Sequence, residues 1–185
     1  MAPLQIDIHG YAIVSDDDRI ADSSGKTPAS LRNGADWAYF QRELDRADLI
    51  ALGRLGHEAN PNVRGRRRLV LSSAARGLEQ RNDAWWWNPA QISWREAVKI
   101  LLPNGGRVAV PGGQAVFDLF LGIGYEAFHL SRAGGVLLPG GRYLFAAGAR
   151  GLSAETVLRE AGLRGSGAKT IDEDANVALE VWRKL

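Results

Sequence analysis

The stretch ADWAYFQRELDRADLIALGRLGHE, residues 35 to 58, sets the reading of the whole chain: an acidic residue opens an amphipathic helix, an apolar strand follows, and a Gly-Arg turn ends it. Asp36 starts the helical pattern, with Tyr39 and Phe40 three and four residues on, so one helix face carries a carboxylate beside two aromatic rings. Such a face can bind a flat heterocycle. Taken alone, Asp36 reads first as an N-terminal cap, because Asp is a common helix opener. Leu49 to Leu52 have the length of a buried strand, and the chain then breaks at Gly53, Arg54, Leu55 and Gly56. Ligands of parallel sheets gather beyond the carboxyl ends of the strands, which places this Gly-Arg turn where it can take an anion.

Upstream, residues 4 to 14 (LQIDIHGYAIV) alternate and then become continuously apolar, as a central strand does. Asp16, Asp17 and Asp18 end it. From Ser15 to Gly34 the turn formers Ser23, Ser24, Gly25, Pro28 and Asn33 predict a long loop, either a lid over a site or a flexible surface segment.

Downstream, NPNVRGRRR (residues 60 to 68) is a polar loop carrying Arg64, Arg66, Arg67 and Arg68, a solvated surface or the source of one guanidinium for a substrate carboxylate. Leu69 to Leu71 form a strand ending at Ser72 and Ser73, whose hydroxyls either serve a phosphate or cap the turn. Trp85, Trp86 and Trp87 sit on a strand and so point to alternate faces, which predicts core and edge packing rather than a stacking platform. Ser93 and Glu96 have capping-box spacing at the head of SWREAVKIL, and Asn104, Gly105 and Gly106 stop that helix.

Arg107 to Pro111 lead as a strand into Gly112, Gly113 and the apolar helix QAVFDLFL. A Gly-Gly turn lets a ligand approach bare backbone, and the helix N-terminus favours negative charge. The G-x-G-x-x-G spacing of a Rossmann dinucleotide site is missing. Ala127 to Ser131 read as a strand, Leu137 to Phe145 as a glycine-rich turn entering another, Ser153 to Ala161 as a helix ended by Gly162, and Asn176 to Trp182 as a closing antiparallel edge strand. At least five strands and four helices in mixed order, without repeat or linker, predict one α/β domain over residues 1–185.

A hydrophobic content of 45% in 185 residues suits one well-buried core. The 23 Lys and Arg against 21 Asp and Glu, with a pI of about 9.1, describe a nearly balanced, Arg-rich chain, so nucleic acid is not implied. With no cysteine, disulfides, thiolate catalysis and Cys-ligated metal are excluded. His9, His57 and His129 are scattered with no carboxylate at ligand spacing, so no metal site is expected, and His129 reads as a core or sheet-face residue. No leader pattern and no membrane-length apolar run occur, and the expectation is a cytoplasmic monomer or homodimer acting on a small molecule.

The pieces ADWAYFQR, LGRLGHE, RRLVLSS and VPGGQAVFDLFL, in this order and spacing, resemble dihydrofolate reductase and its superfamily over roughly residues 6 to 145. The resemblance implies a dihydrofolate reductase-like three-layer sandwich with a mixed, mostly parallel central sheet, and hydride transfer from NADPH to a C=N bond of a pteridine such as 7,8-dihydrofolate. Asp36 matches the family's acidic pocket residue and is the implied catalytic group. Trp37, Phe40, Pro111 and Ser131 match substrate contacts, and Arg66 falls near the arginine that binds the folate glutamate tail. For NADPH the resemblance implies Ala12, Ile20, Gly53, Arg54, Leu55, Ser72, Ser73, Gly112, Gly113, Gln114, Ala115 and Val116. Gly56 replaces the threonine of the family's GR-x-T turn, Phe117 replaces a tyrosine, and the tryptophan of the family's mobile loop is absent between Ser15 and Gly34.

SDDDRIAD, residues 15 to 22, keeps instead the spacing of S-x-D-G-K-I-A in the reductase domain of riboflavin-pathway deaminase-reductases, with Asp18 for glycine and Arg19 for lysine. That resemblance implies reduction of a ribosylaminopyrimidine, and a third reading is a non-catalytic NADP-binding protein of the same fold. In the catalytic readings Asp36 anchors the ring, burial outweighs the helix N-terminus in setting its charge, and water delivers the proton. Arg54 selects the 2′-phosphate of NADPH through its fixed fork.

Overall fold

The computed structural model describes residues 4–185, and a ten-stranded mixed sheet is its spine. In chain order come β1 (Ile6–Ser15), β2 (Arg19–Ala21), a 3-10 turn (Ala29–Leu31), α1 (Gly34–Asp45), β3 (Leu49–Gly53) and α2 (Arg54–Ala59). Next are β4 (Arg68–Leu71), β5 (Leu78–Gln80), β6 (Trp85–Trp87), α3 (Trp94–Leu101), β7 (Gly106–Gly112) and α4 (Gln114–Ile123). The chain closes with β8 (Ala127–Ala133), β9 (Arg142–Tyr143), a 3-10 turn (Ala146–Arg150), α5 (Ala154–Glu160), β10 (Leu163–Gly165), β11 (Lys169–Asp172) and β12 (Val177–Lys184).

The sheet order is β10-β12-β8-β1-β7-β3-β4-β6-β5, with β11 also on β12, while β2 and β9 form a separate ribbon. From β8 to β6 every pairing is parallel, and antiparallel pairs flank this centre on both sides. Central parallel strands are buried on both faces, and the period of two sorts their side chains into two cores. Ile8 and Val14 of β1 join Val108, Phe117, Phe120 and Phe128 under α3, α4 and α5. Tyr11, on the opposite face, joins Leu44, Ile50, Val70 and Ala109 under α1. The tryptophan triplet obeys the same alternation: Trp87 meets Trp94 and Phe120, and Trp86 enters the other core. Ser93 and Glu96 make the expected capping box of α3.

Several expectations are corrected. Helix α1 begins at Gly34, and its cap is Asn33, whose side-chain oxygen accepts the Asp36 N–H at 3.0 Å. Asp36 therefore lies inside the first turn, and its carboxylate is not spent on capping. The predicted turn after Gly53 is the first turn of α2. Residues 15 to 34 are not one free loop, because β2 pairs with β9 and the Arg19 guanidinium bonds Asp17, the Leu138 carbonyl and the Tyr143 hydroxyl. Strand β5 was not foreseen; its three residues, Leu-Glu-Gln, carry too little alternation to register. Nor is the closing strand an edge: β12 pairs with β8 on one side and with β10 and β11 on the other, two short polar strands without a hydrophobic signature.

Candidate active site

Strands β3, β4 and β7 end at the same level, with Gly53 opposite Leu71 and Leu52 opposite Gly112. Beyond their carboxyl ends opens a cleft of about 320 Å³, lined by Gly53 to Gly56, Leu71 to Ser73, Gly112 to Val116, and Arg142. Three predicted segments thus meet around one space, although they are far apart in the chain. Register explains it: parallel neighbours that break after the same rung must deliver their turns to the same edge.

Each break has a local cause. Gly113 caps α4 at φ +26 with no side-chain cap, a backbone region that favours glycine. A Cβ added there would meet nothing within 4 Å, whereas one at Gly112 would come within 3.2 Å of the Phe117 ring. The amides of Gln114 and Ala115 precede the first intrahelical bonds of α4, which run from Val116 and Phe117 to the Gly113 carbonyl. This bare, electropositive helix end is what a dinucleotide's phosphates require, so the residues present fit NADPH.

The polar groups of the cleft are differently engaged. Arg54 is exposed and holds both oxygens of Glu58 at 2.9 Å, a solvent-screened helical pair. The Ser72 hydroxyl accepts the Ala74 N–H at 3.2 Å, and so caps the turn that lines the cleft. Arg142 was not anticipated; its short strand, buried in a glycine-rich segment, gives no periodic signal. Ala12 and Ile20 lie outside the cleft lining, packed against the larger core.

Asp36 is half-buried on α1, and burial pushes its carboxyl above the usual range, while the nearby Ser131 hydroxyl opposes the rise. Ser131 is buried on β8. Phe40 packs against Tyr11 and Trp37, with ring centroids 6.0 and 5.7 Å apart, and Trp37 is 58% exposed. Pro111, half-buried, immediately precedes the Gly-Gly turn, and neither it nor Asp36, Trp37, Phe40 or Ser131 is part of the cleft lining.

Two residues are not where the sequence suggests. Tyr39 does not share the Asp36 face as a free ring, because its hydroxyl is bonded to His129 Nδ1 at 2.5 Å. Arg66 is bonded to Asp45 Oδ1 and the Gln41 carbonyl, at the far end of α1, nine residues or about 13 Å from Asp36. Its guanidinium is satisfied there, so no tail-binding role is read from its position.

Beneath α1 lies a buried polar chain that the sequence did not disclose. Arg107 donates to His9 Nδ1 at 2.8 Å, and an arginine only donates, so that nitrogen carries the lone pair. His129 Nε2, 3.1 Å from the same atom, must then be the protonated nitrogen, which leaves His129 Nδ1 to accept from Tyr39. Both rings are neutral: burial, reinforced by Arg107 for His9 and by His9 for His129, lowers them to about 4 and about 3. Beside them Glu43 accepts from Tyr11 and pairs with Arg46 at 2.7 Å and Arg107 at 3.5 Å.

An α/β sandwich with a ligand-sized cleft at the carboxyl ends of its parallel strands, and a half-buried acid on the helix of the opposite layer, has the dihydrofolate reductase fold. The chain aligns over 97% of its length with dihydrofolate reductase from Enterococcus faecalis complexed with NADP(H) and RAB-propyl, covering 97% of that chain at 15% identity and a TM-score of 0.66. It aligns equally with a protein from Shewanella sp. PV-4 assigned to riboflavin biosynthesis, over 97% of this chain and 99% of that one, at 14% identity and a TM-score of 0.67. No protein-family model and no curated protein matches by sequence. Among the described residues no helix is long and apolar enough to cross a membrane.

Proposed function

We propose that this chain is an NADPH-dependent reductase that reduces a C=N bond of a pteridine such as 7,8-dihydrofolate. The observation that carries the reading is that one fold holds both a glycine-lined cleft at the strand ends and, on α1, a half-buried acid that no cap consumes, with the Ser131 hydroxyl nearby. NADPH, when bound, supplies the hydride. Gly112 and Gly113 keep the cleft wall free of side chains, the first turn of α4 receives phosphate, and Arg54 trades its exposed partner Glu58 for the 2′-phosphate.

Asp36 anchors the planar ring through its carboxylate and favours the protonated ring nitrogen, because a negative charge in a partly desolvated site stabilises positive charge beside it. Phe40 and Trp37 form the apolar border. A proton arrives from water, since Asp36 holds the ring rather than acting as its direct donor.

A second reading, reduction of a ribosylaminopyrimidine, is favoured by the segment that resembles the riboflavin-pathway reductases. Ser15 and Asp17 are built into a cluster there: the Ser15 hydroxyl donates to Asp17, which also accepts the Leu138 N–H and pairs with Arg19 at 2.9 Å. The deciding experiment follows NADPH absorbance with dihydrofolate and with the ribosylaminopyrimidine in turn. Turnover of dihydrofolate supports the first reading, turnover of the pyrimidine alone replaces it with the second, and NADPH binding without either reaction leaves a non-catalytic binding protein.

A further inference from the structure

We propose that Arg142 binds the pyrophosphate of the dinucleotide, delivered to the cleft by the β2–β9 ribbon; the proposal rests on the NADPH-dependent reading above. Two arginines line the cleft. Arg54 is occupied by Glu58, whereas the Arg142 guanidinium has no hydrogen bond or ion pair to a protein group among the described residues, its backbone alone pairing with β2. Its guanidinium is exposed at a cavity of ligand size with no acidic partner to neutralise it.

The location within the cleft follows from the neighbouring residue. Gln114, the first residue of α4, donates through Nε2 to the Tyr143 carbonyl at 3.0 Å. That bond ties β9 to the turn of α4 whose amides are still free, so Arg142, one residue before Tyr143, is held at the helix end that attracts phosphate. The ribbon is stiff at this point. Arg19 bonds the Tyr143 hydroxyl at 2.9 Å and lies 4.5 Å above its ring, and Arg19 is anchored in turn by Asp17 and the Leu138 carbonyl. A braced strand fixes the point from which the Arg142 side chain reaches the phosphate, so binding has only that side chain left to order. Arg54 and Arg142 then divide the charges of the cofactor: Arg54 takes the 2′-phosphate, which only NADPH has, and Arg142 takes the pyrophosphate, which NADPH and NADH share.

That division makes the test specific. Dissociation constants of NADPH and NADH are measured by fluorescence titration for the unmodified protein, Arg142→Ala, Arg142→Gln and Arg142→Lys, with thermal unfolding as the check on folding. Losing a charge-assisted phosphate contact weakens binding about tenfold to a hundredfold. The loss is expected to be equal for the two dinucleotides, with Lys recovering part of it as a point charge without the fork. Unchanged affinity in the folded Ala and Gln variants overturns the proposal, and so does a loss confined to NADPH, which assigns Arg142 to the 2′-phosphate. If the unmodified protein binds neither dinucleotide, the reductase reading fails and this inference fails with it; normal binding untouched by the variants removes Arg142 alone.

Discussion

The cleft at the ends of β3, β4 and β7 and the layer beneath α1 are built from opposite materials. Around the cleft the walls are strand ends, short turns and helix starts, with glycines at Gly53, Gly56, Gly112 and Gly113. Beneath α1 the space is filled by side chains, His9, Tyr11, Tyr39, Glu43, Arg107 and His129, drawn from α1, β1, β7 and β8 and bonded to each other. One region holds room for a ligand; the other spends its room holding a helix in place. Asp36 lies on α1 outside the cleft lining, with buried Ser131 of β8 nearby. A half-buried acid keeps its unusual proton affinity only while α1 stays seated on β8, so the filled region serves the open one.

The largest effect is expected at Asp36. Asp36→Asn should lower turnover by a factor on the order of a hundred to ten thousand while leaving NADPH affinity close to unchanged, as steady-state kinetics and cofactor titration will show. The same change should raise stability at neutral pH. A carboxyl whose affinity for protons is raised in the folded state contributes most at pH below its unfolded value and loses that contribution as pH rises through the folded one, so the amide avoids the cost of burying charge. A melting temperature that falls instead would mean that Asp36 is structural.

Within the open region, Arg54→Ala should weaken NADPH roughly tenfold with little effect on NADH, since only the former carries the 2′-phosphate. Equal losses would remove the assignment. Breaking the Arg54–Glu58 pair itself should leave stability within about 0.5 kcal/mol, because it is exposed and helical.

The filled region should show itself in acid. Histidines held neutral by burial contribute stability that is whole above their unfolded value near 6.5 and is lost as pH falls toward the folded values of about 4 and about 3. Denaturant midpoints are therefore expected to drop between pH 6.5 and 4, and His129→Gln should flatten that slope. Smallest of all, Trp37→Ala should change stability by about 0.5 kcal/mol or less, since the ring is mostly in solvent. Any loss of substrate affinity it brings then reports a contact at the border of the site.

How far the chain was legible follows the same division. The cleft could be read in advance because each wall is a local event: a strand that runs out, a glycine at positive φ, a helix that starts without a side-chain cap. Even there the reading was incomplete, since Asn33 rather than Asp36 opens α1, and a cap differs from its neighbours only in which oxygen reaches which amide. Arg142 escaped because a two-residue strand in a glycine-rich stretch has no periodicity to detect. The contacts of Arg66 with Asp45 and the Gln41 carbonyl were not legible either, because they depend on how its loop packs on α1.

The α/β class and the order of the strand breaks were present in the linear pattern, because hydrophobic period and turn chemistry act over a few residues and survive without a partner; the mostly parallel sheet came with the family resemblance. The pairing of His9 with His129 across 120 positions, the capture of Tyr39, the placing of β12 inside the sheet and the delivery of Arg142 to the cleft belonged to the folded molecule alone. Such contacts join residues with no local relation, and a hydrogen bond reaches only about 3 Å, so they are settled only when the sheet and its helices have packed.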